Sequence, residues 1–124
     1  MPNDGVRAQQ GRYDLEERTK ACAKEVRVFV KKLPTSMSTV EDSKQLIRSS
    51  GSVGANYIEA NEALGKNDFR MHIKIAKKEA KESMYWLELL DVGQDTELQQ
   101  TRTLLRDESR QLMLILGSVL HKRS

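Results

Sequence analysis

Cysteine occurs once in this chain, at Cys22, and proline twice, at Pro2 and Pro34. A lone thiol cannot close an intrachain disulfide, which excludes a disulfide-stapled secreted scaffold and fits a reducing compartment. With Pro34 the last proline, everything beyond it can run as helix without a ring to break it. Aromatic residues are 5% of the chain, which argues against an all-β core. Histidine is limited to His72 and His121, which starves any site built on imidazole. No apolar run approaches a membrane span, and the opening MPNDGVRAQQ has no hydrophobic signal core. A cytoplasmic protein that does not enter membranes is the expectation.

What remains is a chain of 124 residues, 38% hydrophobic and 31% charged. That length suits one domain, and that balance suits helices with one apolar face each. The net charge of +3 and pI of about 9.1 permit contact with phosphate without demanding it.

Residues 1–13 are polar, with Gly5 and Gly11, and read as a flexible leader. Residues 14–124 read as one helical domain. Leu15, Thr19, Cys22, Val26, Phe29, Val30 and Leu33 recur at three-four spacing, the signature of one helix face. Pro34 ends that helix. Ser38 or Thr39 can cap the next, expected over 40–63 with Leu46, Ile47, Val53, Tyr57, Ile58, Ala60 and Leu64 on its apolar arc. Gly51 and Gly54 lie inside it and cost about 1 kcal/mol each relative to alanine. They make sense where another helix packs very close. Gly65 is the expected left-handed residue after this helix. Asn67 or Asp68 caps a third helix whose stripe is Phe69, Ile73, Ala76, Ala80, Ser83, Leu87 and Leu90. Gly93 closes it. Asp95 or Thr96 opens a fourth, carrying Leu98, Thr101, Leu105, Leu112, Ile115, Leu116, Val119 and Leu120 on one face. Four helices joined by short turns must alternate in direction, so the fold class is all-α, an antiparallel up-down-up-down four-helix bundle.

Several residues stand out chemically. Glu79 falls inside the apolar arc of the third helix, with Glu82 and His72 on the same flank. A buried acid is costly unless paired, so a Lys or Arg from a neighbouring helix or subunit is expected beside it. A di-metal carboxylate bundle needs Glu-x-x-His pairs. The residues three before His72 and His121 are Phe69 and Ser118, so neither pair exists. No Gly-rich phosphate loop and no nucleophile-base motif is present. Cys22 lies on a core stripe and reads as a packed thiol. No metal, cofactor or catalytic residue is expected. Lys20, Lys24, Arg27 and Lys31 form one basic stripe; Arg70, Lys74, Lys77 and Lys81, with Lys78 alongside, form another. Such stripes are commonly solvated helix faces, but brought together they would track phosphates. The apolar arc around Met84, Tyr85 and Trp86 is wider than one seam needs, which suggests self-association.

Three blocks carry a family resemblance: SSGSVGANYIEA at 49–60, NDF at 67–69 and KKEAKESMYWLELL at 77–90, with the Leu33–Pro34 pair. They resemble the bacterial four-helix bundle family related to proteins encoded in intervening sequences of 23S rRNA genes. The resemblance covers about 15–90 and matches the fourth helix by pattern only. It implies an up-down bundle assembled as a homopentamer, and one distant branch of that family binds nucleic acid through a basic surface. Its motif positions fall here on Ser52, Asn56, Glu59, Ala60, Phe69, Lys78, Glu79, Glu82 and Trp86. Asn61 departs from the glycine that many relatives have after the Glu-Ala pair.

The resulting expectation is a non-enzymatic homo-oligomer that binds structured RNA, or DNA, through Arg27, Lys31, Arg70, Lys74, Lys77 and Lys81. Asn56, Glu59, Glu79, Glu82 and Trp86 are expected to order helix or subunit contacts. The competing expectation is a protein-protein scaffold without nucleic-acid binding.

Overall fold

The structure is a computed structural model that describes the backbone of residues 4–122 and the side chains of residues 15–122. It contains α1 (Asp4–Lys31), α2 (Met37–Asn61), α3 (Lys66–Leu89) and α4 (Thr96–Lys122), with no strand among the described residues. Each helix packs against its two neighbours around a square, and among the described residues no close backbone approach joins α1 to α3 or α2 to α4. Short turns force the alternation of direction. The antiparallel four-helix bundle read from the sequence is the fold.

The three-four stripes place the core. Leu15, Cys22, Val53, Tyr57, Ile73, Ala76, Ala80, Leu112 and Leu116 form one buried cluster. Val26, Phe29, Leu33, Leu46, Leu87, Leu90, Leu98 and Leu105 form the second, with Trp86 packed partly buried against it. Ser49, Ser83 and Ser109 are also buried. Ser49 and Ser83 bond to each other at 2.8 Å, and Ser83 donates to the Glu79 carbonyl at 3.0 Å. The Ser49 and Ser83 hydroxyls are thereby each satisfied, as most buried polar groups are.

The ends of the helices correct several expectations. The cap of α2 is Ser36, whose hydroxyl accepts from the Thr39 amide at 3.2 Å, so the helix starts before Ser38. It stops at Asn61, which puts Leu64 outside the period and fully in solvent; Ile58 is half exposed on its outer flank. Gly65 is extended rather than left-handed and precedes α3 directly, ahead of Asn67 and Asp68. Gly93 does adopt positive φ, and Asp95 caps α4 by accepting from the Leu98 amide at 3.1 Å. The backbone of α1 is helical from Asp4, through most of the segment read as a leader. Each residue added to a nucleated helix gains a bond, which offsets the cost of Gly5 and Gly11. The side chains of that segment lie outside the described residues.

The two interior glycines of α2 behave differently. A Cβ on Gly54 would fall 2.8 Å from Thr19 Oγ1 and 3.1 Å from Thr19 Cβ, so α1 and α2 touch there only because a side chain is missing. A Cβ on Gly51 would meet only Arg27 Nη2, at 3.5 Å, an ordinary contact. The close-packing explanation holds for Gly54 and not for Gly51.

Candidate functional site

Two polar features run along opposite edges of α3. On the edge facing α2 sits the buried acid. Glu79 is 8% exposed and meets Arg48 of α2. Arg48 Nη1 donates to Glu79 Oε1 at 3.4 Å, and its Nη2 donates to Glu82 Oε1 at 2.5 Å. Glu82 Oε1 also accepts from Trp86 Nε1 at 3.0 Å. The cation that the sequence required beside Glu79 is therefore Arg48, a residue on the outer flank of α2. Glu79 Oε2 lies 3.2 Å from Arg48 Nη2, within ion-pair range, yet no N–H points at it and it accepts no hydrogen bond. Charge rather than a directed bond holds that oxygen. The bond to Glu79 lifts the Arg48 guanidinium above its ordinary range. The Trp86 indole, followed by Arg48, holds the Glu82 carboxyl below the usual carboxylate range against the opposing pull of burial.

Further along this edge, Asn56 Nδ2 donates to the Ser52 carbonyl and hydroxyl, each at 3.0 Å. A carbonyl can only accept, so the amide nitrogen must face Ser52 and Asn56 Oδ1 must face His72. His72 Nδ1, 3.1 Å away, is then the donor of that bond, and its Nε2 lies 3.5 Å from Asp68. Ser52, Asn56, Glu79, Glu82 and Trp86 thus lie along one seam, where Arg48 with Glu79 and Glu82, and Asn56 with His72, join α2 to α3. Glu59 is exposed on α2. No cluster of three metal-ligating side chains occurs among the described residues.

The opposite edge of α3 faces α4 and carries the second basic stripe. Arg70 Nη1 donates to the Leu120 carbonyl at 3.1 Å, and Arg102 Nη1 of α4 donates to the Leu90 carbonyl at 2.6 Å. Each arginine, near the start of its own helix, closes an orphan carbonyl at the end of the other. Between them the Lys77 chain crosses Gly117, and Arg106 lies 3.6 Å from Glu88. Lys74, Lys77 and Lys81 are exposed and in no ion pair among the described residues.

The first basic stripe lies elsewhere. Lys20 pairs with Glu17 at 3.7 Å, and Arg27 Nη1 is turned back to the Ala23 carbonyl at 2.8 Å, with Nη2 beside Gly51. Lys24 and Lys31 are exposed. This stripe leans toward α2 while the other leans toward α4, so one chain does not bring the two together. Of the six cations picked from the sequence, Arg27 and Arg70 are bonded to backbone carbonyls. Arg102 and Arg106 were missed because nothing in a single helix wheel shows that α4 shares an edge with Lys77.

A largely apolar cleft of about 330 Å³ opens between α1 and α4, lined by Val28, Phe29, Leu98, Leu104 and Leu105 together with Glu25, Lys32 and Glu97. Arg18 and Glu108 bridge the same pair of helices in a two-pronged bond of 3.1 and 2.6 Å. Cys22 is buried, and burial, followed by the nearby Glu108 carboxylate, pushes its thiol up to about 11. None of the described helices is long and apolar enough to cross a membrane.

These features sit in a recognisable sequence. The profile described as 23S rRNA-intervening sequence protein matches residues 13–116. The chain belongs to this family. A solved structure shares the fold: a protein of unknown function from the S23 ribosomal protein family of Bacteroides thetaiotaomicron VPI-5482. It is 28% identical, with a TM-score of 0.75, covering 89% of this chain and 97% of that one. No curated protein matches. Neither the family description nor the neighbour names a reaction; what the 23S rRNA-intervening sequence relationship identifies is the fold.

Proposed function

We propose that this chain is a non-enzymatic, cytoplasmic bundle protein that self-associates and binds structured RNA through a basic helix face. One observation carries the binding half. Arg70, Lys74, Lys77, Lys78 and Lys81 follow one another along α3, and Lys74, Lys77 and Lys81 have no acid partner among the described residues. Like charges four apart on a helix repel by about 0.2–0.5 kcal/mol per pair. Among the described residues no acid pairs with Lys74, Lys77 or Lys81 to offset that repulsion, whereas a phosphate backbone would.

Self-association is supported by apolar surface spread over the bundle. Leu104 is 70% exposed beside the α1–α4 cleft, and Tyr85 and Leu89 are half exposed on α3. Trp86, expected at the centre of such a surface, is partly buried against the core and tethered to Glu82; its neighbours Tyr85 and Leu89 face outward instead. A closed ring, as the family resemblance implies, is the proposed assembly.

Light scattering on protein purified with and without nuclease tests both halves. The expected result is a mass several times that of the 14.2 kDa chain, with added RNA bound less tightly as salt rises. A monomer would reject the assembly, and affinity flat between low and moderate salt would reject the RNA reading in favour of a protein scaffold.

A further inference from the structure

We infer that the α3–α4 edge is the nucleic-acid surface, that Arg106 of α4 belongs to it, and that it takes the backbone of double-stranded RNA rather than a single strand. The inference rests on the RNA reading above and goes further, naming the edge and the form of the ligand.

The choice of edge follows from what each cation is already doing. On α1, Lys20 is paired with Glu17 and Arg27 is folded onto its own helix, and acids alternate with the bases. That leaves only Lys24 and Lys31 on α1 exposed and unpaired, whereas on the α3–α4 edge Lys74, Lys77 and Lys81 are exposed and unpaired among the described residues, with no acid between them on the stripe. Arg106 adds a fourth cation from α4, paired at 3.6 Å with Glu88, both side chains about half exposed. An exposed pair of that kind is worth little and exchanges readily for a phosphate. Lys74 to Lys81 spans about 10 Å of helix at 1.5 Å per residue, and Glu88, where Arg106 joins, lies about 10 Å further. The strip is thus a straight row of point charges on a rigid support, about 20 Å long.

The form of the ligand follows from what the edge lacks. Single-strand binders combine a basic groove with aromatic rings on which successive bases stack. Here Phe29 and Tyr57 are buried, and Trp86 is partly buried with its indole bonded to Glu82. Only Tyr85 is an exposed large aromatic among the described residues, so no stacking platform exists for consecutive bases. A duplex keeps its bases stacked on each other and presents phosphates outward, which is what a bare row of cations can read.

The test is fluorescence anisotropy with a labelled RNA hairpin and an unstructured oligonucleotide of equal length, across a salt series. Four contacts per protomer predict a slope of log affinity on log salt of about −3 to −4 for the duplex. Replacing Lys74, Lys77 and Lys81 together by Gln is expected to flatten that slope by about 3, and Arg106→Gln by about 1. Lys20→Gln with Lys24→Gln is expected to leave it unchanged. All these side chains are exposed, and a helical melt of each variant checks that the fold is kept. Equal losses from the α1 and α3 variants, or tighter binding of the unstructured strand, overturn the inference while leaving RNA binding standing. Wild-type protein that binds neither probe in a salt-dependent way overturns both.

Discussion

Adding one methyl group at Gly54 should destabilise the bundle, whereas adding it at Gly51, three residues earlier, should not. Both positions lie inside α2, so each alanine gains about 1 kcal/mol of helix propensity. The difference lies across the interface. At Gly54 the new carbon would sit 2.8 Å from Thr19 Oγ1 and 3.1 Å from Thr19 Cβ. Rotating the hydroxyl away breaks its 3.0 Å bond to the Glu16 carbonyl and still leaves the Cβ contact. The two helices must therefore separate by a few tenths of an ångström, and overpacking of this kind costs about 1–3 kcal/mol. The net expectation for Gly54→Ala is a loss of up to about 2 kcal/mol. At Gly51 the new carbon would touch only the mobile end of Arg27, at 3.5 Å, so Gly51→Ala should be neutral or stabilising by up to about 1 kcal/mol. Thermal melts at one fixed protomer concentration read both, with roughly 4 °C expected per kcal/mol. Thr19→Ala removes the hydroxyl from the collision, so combined with Gly54→Ala it should recover part of the loss, about 1 kcal/mol of coupling. If Gly54→Ala melts at or above Gly51→Ala, the close approach of α1 and α2 is not what the glycine serves.

Glu79→Ala strips Arg48 of its buried partner, and Arg48→Ala leaves a nearly buried carboxylate unpaired; since Arg48 is half exposed, about 1–3 kcal/mol is expected for the second change. Urea titrations would show it as a shifted midpoint, and an unmoved midpoint would deny the pair any role. Glu82, whose carboxyl is depressed in the folded state, contributes stability that is fully present above its unfolded value of about 4.5 and is lost as pH falls through the folded value. Wild-type protein should therefore lose more stability than Glu82→Gln between neutral and acid pH, and parallel curves would contradict that. Cys22, pushed up to about 11 and buried, should resist iodoacetamide at neutral pH until denaturant is added, whereas prompt labelling of folded protein would show an open interior.

Much of the fold could be read from spacing alone, because a helix buries its side chains at a fixed period. Ile73, Ala76, Ala80, Ser83, Leu87 and Leu90 were all placed in the core by that period and are all buried. Glu79 was found the same way, as a charge at an apolar angle. Its partner was not, because Arg48 lies outside the apolar arc of α2 and reaches inward on a long chain that no periodicity tracks. The turn chemistry around Gly65 misled for a related reason: a glycine between helices can end one or begin the next, and the choice rests on where α2 runs out. Whether the basic stripes converge was hidden too. A wheel gives an angle within one helix and says nothing of which neighbour lies there, so Arg106 and Arg102 stayed invisible beside Lys77.

The paired arginines at the two ends of α3 and α4 have a consequence for that edge. Sliding one helix past the other by a single turn, about 5.4 Å, would pull both guanidinium groups off their carbonyls at once. The hairpin is locked against slippage like a ruler pinned at both tips. The gap between Lys81 and Arg106 is then a set dimension of the molecule, available as a gauge against whatever repeating charge is laid along it.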